Sequence, residues 1–209
     1  MIKRRNNNKS HSIMIGSFLI LFGIGFIFVD WYKDFKKEKN DVELVNIFFE
    51  NNNLNPTKEE VKENKETLVD KSVENYIGIL EIPKISFKRG LVDIDSKRNN
   101  VKYNIQIIKP SDMPNIENGN LILAGHSGTG YNAFFKDLDK LQIGDYSHIY
   151  YKNEKYTYHV VNIYEVEKNG TVLIKRNTEK TVLTMITCSE TDKTKQIVII
   201  SELTSKEKY

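Results

Sequence analysis

Hydrophobic and polar positions divide the chain into three textures. The first is apolar throughout: residues 12–29, SIMIGSFLILFGIGFIFV, are eighteen consecutive residues without a charge. A helix crossing the bilayer core needs about 20 apolar residues at 1.5 Å rise each, so this segment and its flanks suffice. A cleaved signal peptide would carry a shorter apolar core, about 7–15 residues, followed by a small-x-small cleavage site. Here Asp30, Trp31 and Tyr32 follow instead, with two aromatic rings where a membrane interface favours them. The pattern predicts an uncleaved signal anchor, with a tail over 1–11 and a span over 12–31. Lys3, Arg4, Arg5 and Lys9 precede it, and Lys33, Lys36, Lys37 and Lys39 follow it. The basic residues therefore do not decide orientation by themselves.

The second texture, residues 32–75, is polar and charged and predicts a partly helical stalk. Within it VELVNIFF (42–49) is an apolar island of helical character. Asn55-Pro56 then interrupts the chain, and Thr57 with Glu60 forms a capping box opening a charged helix.

From residue 76 to 209 the period shortens. Runs rich in Ile, Val, Tyr and Thr recur between turn residues: YIGILEI (76–82), NLILAG (120–125), SHIYYK (147–152), KYTYHVVNIYEV (155–166), KTVLTMITC (180–188) and QIVIISEL (196–203). Asn153-Glu154 is placed as a hairpin turn, and only 132–141 carries a weak helical period. Regular short strands predict an all-β domain, a barrel rather than a sandwich because closure hides the edges.

Composition changes this picture little. Lys and Arg (31) nearly balance Asp and Glu (28), for a net charge of +3, and no basic run is interleaved with aromatics. Nucleic acid is not an expected partner. The single cysteine, Cys188, excludes an intrachain disulfide and a multi-cysteine metal site. The segment Glu165-Val-Glu167-Lys168-Asn169-Gly170 offers two carboxylates, too few to expect a required metal, and no cofactor is expected. His148 and His159 lie in or beside strands without a reactive neighbour and read as ordinary packing or surface residues.

Two segments concentrate reactive groups. NLILAG-His126-Ser127-Gly128 is an apolar strand ending in glycine and histidine, and TMIT-Cys188-Ser189 is an apolar strand ending in threonine and the only thiol. A strand fixes position while the loop after it gives access. The same pattern also fits a histidine that caps a strand and a thiol that fills the core.

Together the two segments resemble the paired signatures of the sortase family, a strand ending Ala-Gly-His and a strand reading Thr-Leu-x-Thr-Cys. Met185 replaces the leucine, a volume-conserving change. IGILEIPKI (77–85) is similar to the family's first strand, and FFKDLDKLQIGD (134–145) to its segment after the histidine strand. The resemblance implies an eight-stranded sortase-type β-barrel with short helices, behind an N-terminal anchor whose tail is cytoplasmic. It implies a cysteine transpeptidase that cleaves a Leu-Pro-x-Thr-Gly-like sorting signal after the threonine. The acyl group is then held as a thioester and passed to an amine of the cell envelope, anchoring surface proteins to a Gram-positive-type cell wall. Cys188 would be the nucleophile and His126 the acid and then the base. Thr187 would help place the substrate carbonyl, and Ser127 would touch the substrate. An N-terminal anchor without a second apolar span is similar to the class A or class D arrangement, and pilin polymerisation is disfavoured.

One family feature is missing. Sortases carry a catalytic arginine on the strand after the cysteine, and this chain has no arginine after Arg176. Alignment to KQIVII puts Lys195 in that place, with Lys193 as second choice. Lysine is a point charge where arginine is a planar fork. Three readings follow: Lys195 substitutes, another donor acts, or the chain is a disabled homologue serving as a membrane-tethered peptide-binding module. A Cys-His protease that only hydrolyses would share the dyad.

Overall fold

The structure is a computed structural model describing residues 7–53 and 76–209. The Thr57–Glu60 capping box lies outside the described residues. Two compact units divide at Asp41 and Val42.

The expected span and the apolar island lie on one continuous helix, α1 (Asn7–Asn53). Over residues 13–29 it is apolar all round, with Phe18, Leu19, Phe22 and Ile27 exposed. A helix without a polar face is the form expected of a membrane span, and α1 is long and apolar enough to cross a membrane.

In the second unit the end of α1 presents Leu44, Val45, Phe48 and Phe49, pairs four residues apart and so on one face. They pack on Tyr76, Ile79, Val92 and Tyr150. The island within the expected stalk is therefore part of the globular unit.

Eight strands follow: β1 (Gly78–Ile82), β2 (Phe87–Leu91), β3 (Gln106–Ile107), β4 (Asn120–Ala124), β5 (Tyr146–Tyr151), β6 (Glu154–Glu167), β7 (Val182–Cys188) and β8 (Lys195–Lys208). They form one sheet, ordered β2-β1-β5-β6-β8-β7-β4-β3. It curls into the nearly closed barrel that the sequence predicts. Two irregularities of register on β6, at Thr157/Tyr158 and Val160/Asn162, bend the longest strand pair.

β2 and β3 are absent from the runs read in the sequence, since FKRGL does not look like a strand. Arg89 is nonetheless buried, its Nε donating to Asn104 Oδ1 at 2.6 Å and its guanidinium lying 3.7 Å from the centre of the Phe134 ring. The β5–β6 turn is Lys152-Asn153, both with positive φ, rather than Asn153-Glu154. Tyr151 pairs with Glu154, so the loop has two residues. The weak helical period over 132–141 resolves into turns and one 3₁₀ turn, Leu138–Lys140.

β4 and β7 are buried on both faces, which explains their unbroken apolar runs. Leu121, Leu123, Leu183 and Met185 fill the barrel interior with Phe135 and Ile199. Ile122, Val182 and Ile186 face outward with Val198 and Ile200, beneath Val172 and Ile174 of the β6–β7 connection. Each fully buried side chain of this size contributes about 1.5–3 kcal/mol. The covered outer face of β4, β7 and β8 is where the reactive groups emerge.

Candidate active site

β4 and β7 run parallel, with Ala124 beside Ile186. Gly125 extends the pairing, its N–H donating to the Ile186 carbonyl at 3.1 Å. His126 lies two residues past Ala124, and Cys188 two residues past Ile186. Neighbouring strands are about 4.8 Å apart and side chains alternate between faces. The two reactive residues therefore leave the same end of the sheet side by side, on the face of Ile186. Cys188 is half-buried and His126 exposed. Neither side chain has a hydrogen-bond partner among the described residues.

The glycine before the histidine has a steric cause. A Cβ on Gly125 would sit 2.8 Å from the Phe135 ring, which is fully buried. The Phe135 N–H in turn donates to the His126 carbonyl at 2.9 Å. Ser127 follows, half-buried, and the Gly128 N–H donates to Glu190 Oε1 at 2.9 Å. That bond ties the loop after His126 to the loop after Cys188.

Thr187 is buried on the face opposite Cys188, and its hydroxyl donates to the Gly125 carbonyl at 3.0 Å. Its side chain fastens β7 to the end of β4.

Lys195 opens β8 but is not brought to the thiol. Cys188 pairs with Gln196, and Lys195 has the opposite parity. Its ammonium donates to Glu165 Oε2 at 3.3 Å and lies 3.6 Å from Asp192 Oδ2. The Glu165 hydrogen bond and charge, joined by Asp192, hold the Lys195 amine above the usual lysine range. Glu165 also accepts from Ser189 Oγ at 3.1 Å, and Ser189 Oγ accepts from the Asp192 N–H at 3.3 Å. Lys195 thus closes a polar network that braces the loop directly behind Cys188. Lys193 lies exposed in the turn before β8.

Gln196 and Glu190 were missed in the sequence, and Glu165 was weighed there only as one of two carboxylates for a metal. Only the strand register identifies Gln196, and only loop contacts identify the two glutamates. His148 and His159 sit on the β5–β6 hairpin, one hydrogen-bonded to Thr157 Oγ1 at 3.1 Å, the other stacked on Tyr146 at 4.9 Å.

Residues 80–204, more than half of the chain, match the sortase domain family, and the chain belongs to it. Sortases are a family of cysteine transpeptidases, and Cys188 is this chain's one cysteine. Over 111 residues the chain is 32% identical to sortase D of Bacillus subtilis (strain 168), covering 53% of each protein, so the match spans about half that relative's length. It is 25% identical over 208 residues to sortase A of Bacillus anthracis, covering 95% of this chain and 96% of that one. A solved Clostridium perfringens sortase D5 transpeptidase shares the fold with a TM-score of 0.58 at 24% identity, over 79% of this chain and 98% of that one.

Proposed function

We propose that this protein is a membrane-anchored transpeptidase acting outside the cell on sorting-signal peptides of the Leu-Pro-x-Thr-Gly type. One observation carries the reading. The only thiol and an imidazole stand at the same end of two adjacent parallel strands, on one covered face of a sortase barrel.

The chemistry follows from those two groups. The Cys188 thiolate attacks the threonine's own carbonyl carbon, and the carbonyl π pair moves onto oxygen. Collapse of the adduct expels the amine, which takes a proton from His126, and leaves a thioester on Cys188. An envelope amine then attacks the thioester and gives its proton to His126, and the sulfur departs as thiolate. Ser127 lines the approach beside His126. Thr187 acts by fastening β7 to β4, and Lys195 by bracing the loop behind the thiol. The acceptor is a cell-wall precursor or peptide amine. With α1 as anchor, the N-terminus is cytoplasmic and the barrel extracellular.

Mass spectrometry of Cys188 after incubation with a Leu-Pro-x-Thr-Gly peptide library tests this directly. The expected result is a thioester that an added amine converts to a new amide. Cys188→Ala should abolish it, and His126→Ala should slow turnover by about a hundredfold or more with the fold intact. Release of free acid regardless of added amine would make the protein a hydrolytic Cys-His protease. Binding of intact peptide without a thioester would make it a tethered binding module.

A further inference from the structure

We infer that Gln196 donates the hydrogen bond to the carbonyl oxygen that turns negative during thioester formation, a neutral amide doing the work that an arginine would otherwise do. The assignment rests on the transpeptidase reading for its substrate but not for its geometry. Gln196 is the direct cross-strand partner of Cys188. Opposite residues of an antiparallel pair have Cβ atoms about 4.5–5.5 Å apart and point to the same face. The same alternation places Ile186 against Val198 and Val166 against Gln196. All of these belong to, or flank, the covered outer cluster.

Gln196 is half-buried, and its amide has no hydrogen-bond partner among the described residues. A side chain with two N–H donors thus stands beside the nucleophile with both uncommitted. The cations nearest in sequence are placed otherwise. Lys195 faces the opposite way and is held by Glu165 and Asp192, while Lys193 is exposed in the turn. Arg176, the last arginine, donates to the carbonyl of Asn118 at 3.0 Å.

The chemical role is specific. When sulfur adds to a carbonyl carbon, the S–C bond forms and the π pair becomes an oxygen lone pair that must be stabilised where it develops. An amide N–H on the adjoining strand suits that task. A neutral donor stabilises it less than a charged one. The natural enzyme should therefore be slower than its arginine variant.

Two probes separate this role from simple support of the thiol. p-Nitrophenyl acetate acylates Cys188 through an oxyanion and releases p-nitrophenolate, with no sorting signal needed. Iodoacetamide alkylates the same sulfur by displacing iodide, with no oxyanion. In the full-length chain in detergent, Gln196→Ala should slow acylation by about tenfold to a hundredfold while alkylation stays within about twofold. Gln196→Arg should acylate at least as fast as the natural protein. If Gln196→Ala acylates normally, or if alkylation falls in parallel, the assignment is overturned. If acylation depends on Gln196 while no Leu-Pro-x-Thr-Gly peptide is accepted, the sorting-signal reading fails and the role of Gln196 stands.

Discussion

At the scale of residues, the nucleophile and its partner were legible because each ends an apolar strand in a distinctive short motif. The residue beside them was not. KQIVIISEL has no alternation to read, because β8 contributes to the interior through Ile199 and to the outer cluster through Val198 and Ile200. Without alternation nothing fixes parity, and Lys195 is the natural choice by charge. Its contacts support a different role, acting through Glu165 on the loop behind Cys188. A double-mutant cycle separates the two. If Lys195 acts through Glu165, Lys195→Ala should change kcat/KM by less than about twofold in a Glu165→Ala background, since coupled neighbours are not additive. A full, independent loss from Lys195→Ala in that background would return Lys195 to the substrate.

At the scale of elements, the sequence showed those strands that are apolar on one or both faces. It hid the strand whose central charge is covered by an aromatic ring, β2, and β3, which is only two residues long. It also divided α1, because polar residues after Trp31 read as a break where the helix merely passes from an all-apolar surface to a one-sided one. β1 shows how a central strand holds its neighbours. Glu81 accepts from the Tyr150 hydroxyl on β5 at 2.6 Å and pairs with Lys88 on β2 at 3.4 Å. Burial pushes its carboxyl up, yet the Tyr150 hydrogen bond, Lys88 and His148, its cross-strand partner, outweigh burial and hold it below the usual value of 4.5. A carboxyl depressed in the fold stabilises above its unfolded value, and that contribution is lost as pH falls through the folded one. Urea titrations at stepwise pH should therefore show stability declining below about pH 4.5, and declining less in Glu81→Gln. An identical acid limb in the variant would show that Glu81 is not linked to folding.

At the scale of the molecule, the boundary drawn at residue 76 by the change of texture differs from the boundary drawn by packing. Ile79 and Val92 are fully buried, yet neither belongs to the barrel interior; both lie under the end of α1. Phe49 meets Tyr150 edge-on at 4.9 Å and Tyr209 at 5.5 Å, and those two rings meet each other at 5.0 Å. Such pairs contribute about 0.5–1.5 kcal/mol beyond their burial. A protein beginning at Val42 should therefore leave the membrane fraction, having lost the span, and keep a cooperative thermal transition. A protein beginning at Tyr76 should be less stable by about 1–3 kcal/mol, because lost burial of four apolar side chains is partly offset by the entropy of ordering the helix. That difference corresponds to a Tm lower by roughly 3–12 °C for a domain of this size. It should also expose Ile79 and Val92 as an apolar patch prone to association. Phe49→Ala in the longer form should reproduce part of the drop without shortening the chain. Equal melting temperatures for both lengths and for Phe49→Ala would mean that residues 42–53 only tether the barrel, with no share in its stability.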